Sequence, residues 1–94
     1  MAMTRDEVAY MAVYIFGKHS QMQMAIEEMS ELTKAICKYF RYPMDKEVIE
    51  NIVEEIADVQ IMIDQMKMIF DDTTNIERKK RERLEKLIGE VRRK

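Results

Sequence analysis

The chain has one cysteine, one proline, two glycines and no tryptophan in 94 residues, and a single histidine. Each scarcity excludes something. Cys37 alone forms no intramolecular disulfide and builds no thiolate metal site, so a reducing, cytoplasmic setting is expected. Two glycines and one proline leave too little turn chemistry to punctuate a β-fold. A ferritin-like di-iron site needs two Glu-x-x-His motifs, and His19 stands alone, so that chemistry is excluded. No apolar run reaches the roughly 18–20 residues of a membrane span. Residues 1–6 also lack the basic region of a signal peptide, so a soluble, intracellular protein with no membrane partner is expected.

Apolar residues make up 47% of the chain and charged residues 36%. Leu, Ile, Met, Glu and Lys dominate, which favours helices. Residues 1–94 make one small domain, near the lower limit of what a single core stabilises. Chains of this kind commonly hide apolar surface in an oligomer interface. The net charge of −2 conceals an asymmetry: residues 1–77 carry 15 acidic and 7 basic side chains, and residues 78–94 carry 3 and 9. The body therefore stands at −8 and the tail at +6. The tail reads either as a solvated, salt-bridged helix or as a set of cations that meet phosphates. Nucleic-acid binding is not expected, because the body is acidic and no reading helix is evident.

Start signals divide the chain into four helices. Thr4 with Glu7 reads as a capping box opening a helix to about Phe16, and Gly17 can adopt the positive φ that closes it. Ser20 with Gln23 suits the start of a second helix, though helix from about Lys18 is equally compatible; it runs to about Arg41, and Pro43 stops it. Asp45 suits the N-cap of a third helix to about Phe70. After the polar break 71–74, Thr74 with Glu77 reads as another capping box, opening a helix toward Val91. The expected fold is all-α: a four-helix antiparallel bundle with short loops, completed by dimerisation.

Acidic pairs spaced i, i+3 occur four times: Glu28/Glu31, Glu47/Glu50, Glu55/Asp58 and Glu82/Glu85. Chance alone would give roughly three in a helical chain of this acidity, so the informative question is which face each pair occupies. At about 100° per residue, Met22, Ala25, Met29, Leu32, Ile36 and Tyr39 form an apolar stripe on the second helix, with Glu28 inside its edge and Glu31 further round. Val48, Ile52, Val59, Met62 and Met66 form the stripe of the third helix, with Glu55 in its middle and Asp58 on its shoulder. Glu47/Glu50 and Glu82/Glu85 face away. A carboxylate on a core face costs several kcal/mol or becomes protonated, and neither stripe holds a lysine or arginine. A divalent cation would offset the repulsion among the four, and an all-oxygen set suits Mg²⁺ or Mn²⁺. The competing explanation is that the carboxylates reach water or bridge to lysines of a partner chain.

The same residues carry a likeness. Glu27-Glu28-Met29-Ser30-Glu31-Leu32, followed by Glu54-Glu55-Ile56-Ala57-Asp58-Val59, resembles the paired ExxE and ExxD motifs of MazG-like all-α nucleoside triphosphate pyrophosphohydrolases. Gln21 matches a glutamine upstream in small members, Phe16-Gly17 is similar to their Trp-Gly, and Lys80-Arg81-Glu82-Arg83-Leu84 is similar to a C-terminal Lys-x-x-Arg-Leu of phage-like members. The resemblance implies a dimer or dimer of dimers that cleaves an NTP or dNTP between the α- and β-phosphates, giving the monophosphate and pyrophosphate. It makes Glu28, Glu31, Glu55 and Asp58 the ligands of Mg²⁺ or Mn²⁺ and the catalytic carboxylates, any one of which could orient the water. Gln21, Phe16, Lys80 and Arg83 are then the substrate-binding candidates, the two cations serving the outer phosphates. Phe16 departs from the family's tryptophan. Phosphoribosyl-ATP pyrophosphatase activity ranks below dNTP cleavage, and a non-enzymatic helical interaction module is the rival from another class.

Overall fold

A computed structural model describes residues 2–93. It is all-helical: α1 (Arg5–Phe16), α2 (Lys18–Arg41), α3 (Lys46–Ile69) and α4 (Thr74–Arg92). The caps explain most of the boundaries. Thr4 and Glu7 form the expected capping box, and Asp45 accepts from the backbone N–H groups of Glu47 (2.9 Å) and Val48 (3.3 Å). Gly17 lies at φ 93°, ψ 145°, a positive-φ conformation that costs glycine nothing and lets α2 follow α1 without a loop.

α2 begins at Lys18, one of its two expected starts, with no side-chain cap, and Ser20 lies inside it. One expected start is corrected: Thr74 is the first residue of α4 and not its cap. Its backbone N–H and hydroxyl both donate to Asp72 Oδ1, at 3.3 and 2.9 Å. These bonds hold the Asp72 carboxyl below its ordinary range, because they favour the ionised acceptor.

The turn between α2 and α3 holds Met44 at φ 73° with its side chain 84% exposed. A non-glycine residue in that region costs on the order of 1 kcal/mol or more. Met44→Gly gives up no packing and relieves the strain, and is expected to raise stability by roughly 0.5–1 kcal/mol in denaturant unfolding. Unchanged or lower stability would contradict this.

The core is small and made by three helices. Ala9 of α1, Ala25 and Ala35 of α2, and Val48 and Met62 of α3 are buried. α1, α2 and α3 pack on one another, whereas α4 packs on none of them among the described residues. The apolar stripe expected for α2 lies inward in part: Ala25 is buried and Met22, Leu32 and Tyr39 are half-buried, whereas Met29 and Ile36 are exposed and Gln21 and Ala35 are buried in addition. On α3 the expected stripe lies inward, with Val48 and Met62 buried and Ile52, Val59 and Met66 half-buried. Tyr10, Tyr14 and Phe16 of α1 are exposed and contribute nothing to the core.

At its centre the core is polar. Gln21 and Gln65, 5% and 3% exposed, meet through a hydrogen bond of 2.6 Å from Gln21 Nε2 to Gln65 Oε1. Gln65 Nε2 also lies 3.8 Å from the Met62 sulfur. A buried amide without its partner costs about 1–3 kcal/mol, so the pair fixes one register of α2 on α3. Gln65→Leu is expected to destabilise by about that amount, since it strands the Gln21 amide. Adding Gln21→Leu should restore much of the loss. Additive losses in the double mutant would show that the two amides are not coupled.

Candidate metal centre

Glu28 and Gln21 lie seven residues apart on α2, and Asp58 and Gln65 lie seven apart on α3. Seven residues return to nearly the same helical face, so the register set by the glutamine pair brings Glu28 toward Asp58. The structure shows the result. Glu28, Glu55 and Asp58 each offer a carboxylate oxygen, and the three oxygens lie within 4.8 Å of one another. Glu28 and Glu55 are half-buried and Asp58 is exposed.

Glu55 carries the strain of this arrangement. Its Oε2 is buried and has no hydrogen-bond partner. The carboxyl is pushed above the ordinary glutamate range, first by desolvation and then by the negative charges of Asp58, Glu28, Glu31 and Glu54. Desolvation and like charge act in the same direction, both disfavouring the ionised form. A group so placed serves stability poorly. Its oxygen is what a bound cation would satisfy.

The donor set fits a small hard cation. Mg²⁺ takes oxygens at about 2.1 Å in an octahedron, so its ligand atoms stand roughly 3 Å apart when adjacent and about 4.2 Å apart when opposite. Oxygens within 4.8 Å of one another would draw together to about 3 Å wherever they took adjacent places in such a shell.

The other candidates are dispersed. Glu31 is not in the group of three; its side chain is 55% exposed and pairs with Lys34 at 3.5 Å, though its charge still acts on Glu55. Gln21 is buried in the core pair. Phe16 is exposed at the end of α1. Lys80 and Arg83 lie on α4, and packing within the chain does not bring them to the carboxylates. Glu47, Glu50, Glu82 and Glu85 are all exposed, as their faces indicated.

Sequence reasoning overlooked Gln65. The available signal was the repeated seven-residue spacing from glutamine to carboxylate on the two helices. Arg5 was overlooked too: its guanidinium donates to both carboxylate oxygens of Asp64, tying the start of α1 to α3.

Surface hollows lie elsewhere. One, at the α2–α3 turn, is lined by Lys38, Tyr42, Asp45, Glu47, Val48 and Asn51. Another, between α1 and α3, is lined by Val8, Ala9, Ala57 and Ile61 together with the paired Arg5 and Asp64. Neither has Glu28, Glu55 or Asp58 in its wall. Comparisons of the chain with protein-family models, with curated proteins and with solved structures gave no match.

Proposed function

We propose that the chain is a Mg²⁺-dependent nucleoside triphosphate pyrophosphohydrolase, cleaving an NTP or dNTP between the α- and β-phosphates. The observation that carries the reading is Glu55: a half-buried carboxylate with one oxygen orphaned, held within reach of Glu28 and Asp58. Glu28, Glu55 and Asp58 would hold the cation, with Glu31 at the margin. When bound, Mg²⁺ or Mn²⁺ would neutralise the triphosphate and stabilise charge on the phosphoryl oxygens.

The protein's own part is positional. The Gln21–Gln65 bond holds α2 and α3 in the register that gathers the acids, and the fold leaves one oxygen of Glu55 buried without a hydrogen-bond partner. Glu31, exposed and loosely paired, is free to turn toward an attacking water and accept its proton. Helices α2 and α3 would run antiparallel, as the meeting of Gln21 with Gln65 and of Glu28 with Asp58 supports. The bundle would be completed by a second copy, since so much apolar surface is left open on one chain.

A second reading has an observation of its own. α4 presents apolar residues to solvent and packs on no other helix among the described residues, which suits a helical interaction module. Incubation with a panel of NTPs and dNTPs, with and without Mg²⁺ or Mn²⁺, separates the two. The enzyme reading expects metal-dependent release of pyrophosphate and a monophosphate, with little inorganic phosphate. No cleavage of any nucleotide with either metal would leave the interaction module in its place.

A further inference from the structure

The accessible surface of the chain is 8238 Å², against about 5,700 Å² expected for a folded monomer of 11.3 kDa. The radius of gyration is 16.9 Å, against about 12 Å for a compact domain of this length. An excess near 2,500 Å² per chain is the scale that obligate interfaces bury.

Much of that surface is ordered into stripes. On α4, Leu84, Leu87, Ile88 and Val91 are 46–74% exposed and share one face, with Lys80 and Arg83 continuing that face toward the helix start. On α2, Ile26, Met29, Ile36 and Phe40 form an exposed line beside the core line, and on α3 Ile49, Val53, Ile56 and Ile63 do the same. Steps of three, four and seven residues are those of helix–helix seams.

We infer that α4 is a self-association arm: its Leu84, Leu87, Ile88 and Val91 face packs on the α1–α3 body of a second copy of this chain. Charge selects the body over a second α4. The segment Thr74–Arg92 carries seven basic and four acidic side chains, so two α4 helices laid together oppose like charge, whereas residues 1–73, which hold the α1–α3 body, carry 14 acidic and 7 basic side chains and stand at −7. Within α4, Arg78 pairs with Glu82 and Arg81 with Glu77. Lys80 and Arg83 have no carboxylate partner among the described residues. The acidic body would equally be repelled by an anionic membrane, which disfavours α4 as a surface-binding helix. This inference rests on the homo-oligomer part of the proposed function and is independent of the hydrolase part. The same crossing gives Lys80 and Arg83 a route to carboxylates that packing within one chain does not provide.

Sedimentation of the full chain at micromolar concentration tests it. The wild type is expected as a dimer or larger, with association weakening as salt is raised. Leu84→Asp/Leu87→Asp should weaken association at least about a hundredfold while leaving the Gln21–Gln65 core folded, since α4 packs on none of the other helices. Should that variant lose its helicity, Lys80→Glu/Arg83→Glu keeps the apolar stripe. It should associate more weakly than wild type at low salt, and the difference should shrink at high salt. A wild type that is monomeric, whether or not it binds phosphatidylserine vesicles through α4, overturns the inference together with the oligomer reading. A wild-type dimer indifferent to both variants overturns only the role of α4 and leaves assembly to the stripes of α2 and α3.

Discussion

Alanine at Glu28, Glu55 or Asp58 is expected to lower turnover of a cleaved nucleotide at least about a hundredfold, as when charge stabilisation at a phosphoryl centre is lost. Glu47→Ala should leave turnover almost unchanged, although Glu47 belongs to an acidic pair of the same i, i+3 spacing. The contrast isolates geometry from composition: the three site carboxylates converge within 4.8 Å, whereas Glu47 is exposed in the first turn of α3, about three turns along the helix from Asp58.

Glu31→Ala is the graded member of the series. If Glu31 orients the water, turnover falls with little change in metal affinity. If it ligates the cation, both fall together. General misfolding is separable from loss of a ligand, because removing a carboxylate from a repulsive cluster should not lower the melting temperature of the metal-free protein. Equal losses in Glu47→Ala and the three site variants would overturn the assignment.

The sequence carried some features well and others poorly, for identifiable reasons. Thr4 and Asp45 act locally, through bonds to backbone groups two or three residues away, and Gly17 through its own positive φ, and the structure places them as their chemistry requires. Glu55 was legible because α3 has a clear apolar stripe in which a carboxylate is out of place. The stripe of α2 was harder. Met29 and Ile36 belong to a second apolar line beside the core line, and a helix with two such lines does not disclose which one its own chain covers.

The Gln21–Gln65 pair was hidden for a related reason. Each glutamine looks like an ordinary polar residue until its partner, 44 residues away, is known. The capping box at Thr74 failed because Asp72, two residues earlier, competes for the same backbone N–H and also takes the hydroxyl. The exposure of α4 could not be read from periodicity, which reports that a helix has an apolar face and not which molecule covers it.

Mg²⁺ or Mn²⁺ is expected to raise the melting temperature, and Glu55→Gln should abolish that response. A cation that binds only the folded state stabilises it by mass action, about 2.7 kcal/mol at a concentration one hundred times its dissociation constant. The metal-free protein should respond to pH in the opposite sense to a protein held by paired carboxylates. The folded state raises Glu55 above the ordinary glutamate range, so folding favours its protonated form. The stabilising contribution is full below the unfolded pKa, which is the ordinary glutamate value of about 4.5. It is lost as pH rises through the higher folded value. Metal-free wild type should therefore lose stability over that interval, and Glu55→Gln, whose amide never ionises, should lose less. At neutral pH the glutamine variant is expected to melt above the metal-free wild type and below the metal-loaded one. The measurement is a set of thermal melts from about pH 4 to 8, with Mg²⁺ or with a chelator. A full metal-induced shift in Glu55→Gln, or a metal-free wild type that is steadily more stable toward pH 8 than its variant, would show that Glu55 is not the strained carboxylate a cation relieves.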